Sequence, residues 1–129
     1  MYRIIIMSYF LKNNYYESLS EKKSLEERLS ESDKVLNKYP DRIPVIVEPF
    51  TKDLINIDKN KFIVSKDMTF GQLIYTIRKR MDIESSVALF FSVNGTLCTA
   101  SSDIESIYND NKNEDNFLYV KYTTENTFG

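Results

Sequence analysis

The chain has 129 residues, of which 42% are hydrophobic, 28% charged and 13% aromatic, a balance that suits one folded core and excludes a disordered or collagen-like polymer. A formal charge of −2 supplies no global attraction for a phosphate backbone, so nucleic acid is not an expected partner, and the absence of histidine removes imidazole triads, most zinc sites and a histidine acid–base. Cys98, the single cysteine, can form no internal disulfide, which fits a reducing cytosolic compartment.

The chain opens on an apolar cluster, Ile4-Ile5-Ile6-Met7 and then Tyr9-Phe10-Leu11, between Arg3 and Lys12. The cluster has no small-residue cleavage site and falls well short of the roughly 18 residues that span a bilayer, which argues against secretion and against a transmembrane segment. Residues 1–14 are therefore expected to form an N-terminal extension, either flexible or docked on the fold, or else touching a membrane. One domain is expected over residues 15–129.

A short helix is expected from Tyr15 to Lys23. Ser24-Leu25-Glu26-Glu27 then reads as a capping box for a second helix, with Leu25, Leu29, Val35, Leu36 and Tyr39 at helical spacing. Pro40 stops that helix near Lys38. Arg42 to Glu48 reads as a buried strand with Pro44 near its start, and Lys61 to Val64 as its partner. Thr69-Phe70-Gly71-Gln72 is another capping box, opening a helix with Phe70, Leu73, Ile74, Ile77 and Met81 on one face. Ala88 to Val93 reads as a strand, Asn94-Gly95 as a two-residue hairpin turn, and Thr96 to Thr99 as the returning strand. Ser102-Asp103-Ile104-Glu105 predicts a capped short helix, and Phe117 to Tyr122 a last strand. The order ααββαββαβ predicts an α+β sheet with its helices on one face, which suits a ubiquitin-like β-grasp with two additional N-terminal helices.

Several segments carry a family signature. Tyr39-Pro40-Asp41-Arg42-Ile43-Pro44-Val45-Ile46-Val47-Glu48 closely resembles the autophagy ubiquitin-like modifiers, the family of GABA type A receptor-associated protein and microtubule-associated protein light chain 3. Asp58-Lys59-Asn60-Lys61-Phe62-Ile63-Val64, Ile77-Arg78-Lys79-Arg80, Ser106-Ile107-Tyr108, Glu114-Asp115, Phe117-Leu118-Tyr119-Val120 and Glu125-Asn126-Thr127-Phe128-Gly129 look like family segments at family spacing. The similarity runs from about Leu25 to Gly129.

The resemblance implies a modifier that is acted upon rather than an enzyme, needs no cofactor, and is joined through Gly129 to the amine of phosphatidylethanolamine. A terminal glycine suits that chemistry, since its carboxylate can be adenylated and passed between cysteine thiols in narrow active sites. The implied partners are activating and conjugating enzymes, a deconjugating cysteine protease recognising Phe128, and phosphatidylethanolamine membranes. Cargo receptors and adaptors with aromatic-x-x-aliphatic motifs complete the set. The implied location is cytoplasmic, and peripheral on autophagosomal or other vesicle membranes after conjugation.

The resemblance also implies peptide capture by strand addition. It assigns an aromatic pocket to Glu31, Val35, Pro44, Ile46, Lys61, Ile63 and Phe117, and an aliphatic pocket to Phe62, Val64, Ser65, Met68, Leu73, Thr76 and Ile77. A charged rim of Arg42, Lys59 and Arg80, together with Lys61, would meet acidic residues preceding the motif.

Some positions depart from the family. Ser65 and Thr76 stand where the family commonly has proline and an apolar residue, which predicts a wetter second pocket. Cys98-Thr99 replaces a typical Pro-Pro pair, and Cys98 reads as a small, half-buried strand residue. Glu21 to Arg42 holds six acidic and six basic residues, which does not support tubulin binding. Three alternatives stay open: a lipid-conjugated tag for organelle maintenance or vesicle traffic, an unconjugated β-grasp binding module, and an enzyme using Cys98 or the Glu114-Asp115 pair. The last is disfavoured because adjacent acidic residues in a polar loop are expected to face solvent.

Overall fold

The computed structural model describes residues 18–50, 60–81, 83–84 and 86–124. The extension over 1–14, Tyr15 to Glu17, Lys59, Phe128 and Gly129 lie outside the described residues. Among these residues the elements are α1 (Leu19–Lys22), α2 (Leu25–Lys38), β1 (Arg42–Pro49), β2 (Lys61–Ser65), α3 (Phe70–Arg80), β3 (Phe90–Val93), β4 (Thr96–Leu97), α4 (Ile104–Asn111) and β5 (Leu118–Thr123). The order is the one the sequence predicts.

The strands form one sheet, β2-β1-β5-β3-β4. β1 and β5 run parallel at its centre, with Val45 opposite Leu118, and the other pairs are antiparallel. This is the α+β arrangement expected of a ubiquitin-like fold.

Two capping boxes form as predicted. Ser24 Oγ accepts the Glu27 N–H at 3.2 Å while Glu27 Oε1 accepts the Ser24 N–H at 3.1 Å, and Thr69 and Gln72 make the same exchange at 3.2 and 2.9 Å. Asn94 and Gly95 turn the hairpin with φ of 51° and 78°, the left-handed conformations that a tight two-residue turn requires.

The third anticipated box does not form. Asp103, not Ser102, precedes α4 and makes no side-chain cap, while Ser102 Oγ bonds to Thr99 Oγ1 at 2.6 Å. Tertiary contacts replace the cap: Ile104 N–H donates to the Met68 carbonyl at 3.0 Å. The segment before it serves α3 in turn, since Gly71 N–H donates to the Ala100 carbonyl at 2.9 Å and Phe70 N–H to the Ser102 carbonyl at 2.8 Å. That duty draws Thr99 and Ala100 away from the sheet, so β4 ends at Leu97 rather than Thr99. β3 likewise starts at Phe90 rather than Ala88, because its partner β5 ends at Thr123, opposite Phe90.

The expectation of helices on one face is overturned. α3 and α4 bury Phe70, Leu73, Ile77, Ile104 and Ile107 against Ile43, Val45 and Val47 on one face of β1. On the other face Leu19 of α1 packs with Ile46, Phe117 and Tyr119, and α2 lies along β1. A strand covered on both sides needs apolar residues at every position, and Ile43 through Val47 are buried without interruption.

The α2 face turned inward is not the apolar stripe that the leucine spacing suggests. Arg28 and Ser32 are its buried residues. Arg28 Nη1 donates to Asp115 Oδ2 at 2.7 Å, and the same carboxylate accepts the Tyr119 hydroxyl at 2.6 Å and the Phe117 N–H at 3.0 Å. Asp115 is fully buried, so the reading of Glu114-Asp115 as a solvent-facing pair fails for its second member. Burial, reinforced by the hydrogen bond to Asp115, raises the Tyr119 phenol well above its ordinary pKa.

On the same side, register places Glu48, Lys121 and Ser92 in a row across β1, β5 and β3. Glu48 is 1% exposed and accepts the Leu19 N–H at 2.9 Å and Lys121 Nζ at 3.2 Å, which ties α1 to the sheet. Ser92 is fully buried, and its hydroxyl has no hydrogen-bond partner among the described residues. Ser92→Ala removes that desolvated group at little cost in packing. It is expected to raise stability by about 1 kcal/mol, read as a higher urea midpoint with unchanged slope.

Candidate functional site

β2 pairs with β1 alone, and no described strand covers its outer edge. An uncovered edge presents backbone donors and acceptors ready to pair with an incoming extended segment. The alternation of β2 sends Phe62 and Val64 into the main core and leaves Lys61 and the 42%-exposed Ile63 on the surface. The two sides of this edge carry two depressions.

On the α2 side lies a cavity of about 470 Å³. It is walled by Glu31, Lys34 and Val35 from α2, Pro44 and Val45 from β1, Lys61 to Ile63 from β2, and Phe117. Six of the seven residues assigned to the aromatic pocket by resemblance thus come together here: Glu31, Val35, Pro44, Lys61, Ile63 and Phe117. The seventh, Ile46, is fully buried in the cluster with Leu19, Phe117 and Tyr119, behind the cavity rather than in its wall. Lys34 and Val45 are wall residues that the sequence reading did not single out. Lys34 lies three residues after Glu31, so helical spacing alone would have found it.

Glu31 sits at the centre of the local charges. One of its oxygens binds Lys23 Nζ and the other binds Lys61 Nζ at 2.9 Å. Burial works against ionisation of Glu31, yet the two ammonium groups outweigh it and hold the carboxyl below its ordinary pKa. Lys61 therefore faces the edge already paired with an acid. Lys23, in the turn between α1 and α2, is a cation the sequence reading did not place at this site.

On the other side a broad groove of about 660 Å³ runs between the end of β2 and the first turns of α3. Of the residues assigned to the aliphatic pocket, Ser65, Met68 and Thr76 line it. Phe62, Val64, Leu73 and Ile77 are buried in the main core. The groove walls also include Asp67, Thr69, Gln72 and the 64%-exposed Tyr75, and most of its exposed lining is apolar. Of the rim residues, Arg42 is exposed opposite Ser65 at the start of β1 and Arg80 is exposed at the end of α3.

Cys98 is half-buried, its thiol pushed above its ordinary pKa by burial, and its sulfur lies 4.0 Å from the Thr96 carbonyl. A raised pKa disfavours the nucleophilic thiolate. Among the described residues no group of three or more histidine, cysteine or acidic side chains could hold a metal ion, and no helix is long and apolar enough to cross a membrane.

Comparison with known proteins places this geometry in context. The family described as "Autophagy protein Atg8 ubiquitin like" matches residues 27–129. Autophagy-related protein 8h of Arabidopsis thaliana is 47% identical over 114 residues, which cover 88% of this chain and 96% of the relative. Autophagy-related protein 8A of Oryza sativa subsp. japonica is 48% identical over 106 residues, 81% of this chain and 89% of the relative. Among solved structures, Trypanosoma brucei ATG8 aligns with a TM-score of 0.76 at 37% identity, covering 84% of this chain and 95% of that one. Plasmodium falciparum Atg8, solved in complex with a Plasmodium falciparum Atg3 peptide, also aligns with a TM-score of 0.76, at 28% identity over 85% of this chain and 98% of that one.

Proposed function

Because the chain belongs to the Atg8 family of autophagy-related ubiquitin-like proteins, we propose that it is a membrane tag and adaptor, conjugated through Gly129 to phosphatidylethanolamine and able to capture extended peptides along β2. The observation that carries the capture is the conjunction of an uncovered strand edge with the cavity beside it, walled by Val35, Pro44, Ile63 and Phe117. Backbone pairing to β2 supplies affinity without regard to sequence, and an aromatic side chain lowered into the cavity supplies selectivity. The peptide seated on the Plasmodium relative supports this reading.

Charge sets the rim. An acidic residue preceding the aromatic anchor competes with Glu31 for Lys61 and Lys23, exchanging one carboxylate for another. The gain from such an exchange is small and screened by salt, so the aromatic anchor dominates affinity. On the membrane side, conjugation confines the captured peptide and its cargo to the bilayer that holds the phosphatidylethanolamine.

Calorimetric titration of a peptide with an acidic residue, an aromatic anchor and an aliphatic residue three positions later tests the capture. Ile63→Asp places a charge on a half-exposed wall position at little cost to the fold, and is expected to weaken the peptide at least tenfold, about 1.4 kcal/mol. Unchanged affinity in that variant would place the peptide elsewhere.

A further inference from the structure

A third cavity, of about 290 Å³, lies on the α1 side of the sheet and shares no wall residue with the two depressions beside β2. Separate parts of the chain meet around it: Ser20 from α1, Glu48 from β1, Ser92 and Asn94 from β3 and its turn, Asn113 from the segment after α4, and Lys121 from β5. Its volume stands at the lower end for small-molecule sites, which begin at roughly 300 Å³.

The polar groups of this wall are of two kinds. Glu48 and Lys121 neutralise each other at 3.2 Å, so the wall carries no net charge. Ser20, Ser92, Asn94 and Asn113 are neutral groups that can both donate and accept. Ser92 weighs most, because its hydroxyl is fully buried and nothing among the described residues bonds to it. A desolvated hydroxyl lowers stability, and a fold that keeps one calls for a reason. The turns beside it are held in place. Asn94 Nδ2 donates to Asn111 Oδ1 at 3.0 Å, which leaves Asn94 Oδ1 as an acceptor, and Asn113 closes the next turn through its backbone, donating to the Phe117 carbonyl at 3.0 Å and accepting the Asn116 N–H at 2.9 Å. Phe50, 44% exposed, completes the wall with an aromatic side chain.

From the buried Ser92 hydroxyl and the neutral, two-way hydrogen-bonding wall around it, we infer that this cavity binds an uncharged polyhydroxylated ring, a sugar or a cyclitol. A carboxylate can only accept and an alkylammonium can only donate, and each meets a like charge in Glu48 or Lys121. A hydroxyl does both, so it gives to one wall group while taking from the next, and it bonds Ser92 whichever way that hydroxyl turns. Such a ligand leaves the Glu48–Lys121 pair intact. Its C–H face packs on Phe50, as the apolar face of a small ligand does in sites that combine an aromatic wall with a few placed polar groups. The inference stands apart from peptide capture, since the two cavities have no residue in common.

Amide chemical shifts of the full chain, followed by nuclear magnetic resonance during titration with methyl β-D-glucopyranoside and separately with myo-inositol, decide the matter. Saturating shifts are expected at Ser92, Asn94, Gly95 and Asn113 with at least one of the two, and the tighter of them tells a sugar from a cyclitol. Acetate and ethylammonium are expected to bind at least about five-fold more weakly than that probe, the margin of one hydrogen bond. Ser92→Ala should weaken the probe about five-fold while the empty chain becomes more stable, so that lost binding cannot be lost folding. Asn113→Ala, at an exposed position, should weaken it as well. Either ion binding as tightly as the better ring overturns the ligand class. Absence of saturating shifts at these amides with both rings, or shifts that Ser92→Ala leaves untouched, overturns the site and assigns the cavity to water alone.

Discussion

Alanine in place of Gly129 is expected to abolish attachment to phosphatidylethanolamine in a reconstituted reaction of activating enzyme, conjugating enzyme, ATP and vesicles. In the proposed sequence the terminal carboxylate attacks ATP and releases pyrophosphate, and an enzyme thiolate then displaces AMP to form a thioester. A second thiol takes over the acyl group, and the lipid amine finally attacks the thioester carbonyl, forming an amide as the thiol leaves. Each transfer brings the last α-carbon into a narrow site. A methyl group there adds bulk beside the electrophilic carbon and removes the conformational freedom that glycine offers. The described fold ends at Thr124, five residues earlier, so the substitution removes no group packed within it. Peptide titration and thermal melting should therefore match the natural chain, so that the loss reads as chemistry and not as unfolding. Mass spectrometry of the vesicle fraction measures it. Equal conjugation of the variant would show that another group carries the lipid, and failure of the natural chain as well would favour an unconjugated binding module.

Much of the framework was legible because its signals are local. Ser24 with Glu27, Thr69 with Gln72, and Asn94 with Gly95 each act within four residues, and all three did what their chemistry predicts. Ser102-x-x-Glu105 has the same pattern and fails, because the Met68 carbonyl takes the helix amide that a cap would otherwise have helped to satisfy. Periodicity showed that α2 is amphipathic but not which side of the sheet it covers. The uninterrupted apolar run of Ile43 to Val47 carried that information, since only a strand buried on both faces needs it.

The candidate site divides along the same line. Six residues of the aromatic cavity were named through resemblance, and the folded chain gathers them around one opening. Ile46 shares the face of Pro44 but is covered there by Leu19 of α1 together with Phe117 and Tyr119. Lys23 was invisible at this stage because its partner Glu31 lies eight residues away across a turn. The least legible feature joins residues 87 positions apart, Arg28 and Asp115. An arginine in an acidic and basic helix reads as a solvated charge until the fold brings a buried carboxylate to it.

Asp115→Ala is expected to be the most damaging single substitution in the described fold, lowering stability by about 3–5 kcal/mol in urea denaturation. The natural carboxylate satisfies three buried donors at 2.6 to 3.0 Å. Its removal leaves Arg28 Nη1, the Tyr119 hydroxyl and the Phe117 amide without this acceptor at buried positions, with Arg28 keeping only its Nε bond to the Lys23 carbonyl. Asp115→Asn keeps one oxygen acceptor but loses the charge, so it should fall between the two. Peptide affinity should drop as well, since Phe117 walls the aromatic cavity and Arg28 shares a helix with Glu31 and Val35. The same cluster predicts a response to alkali. Tyr119 is raised in the fold above the ordinary tyrosine value of about 10, so its contribution is complete below that pH and declines as pH climbs past it, because the unfolded chain releases a proton that the folded chain retains. The resulting slope is about 1.4 kcal/mol per pH unit for this one group. Tyr119→Phe should abolish that part of the slope while leaving Arg28 paired with Asp115. A slope unchanged in that variant would mean that the phenol loses its proton as readily in the fold as outside it.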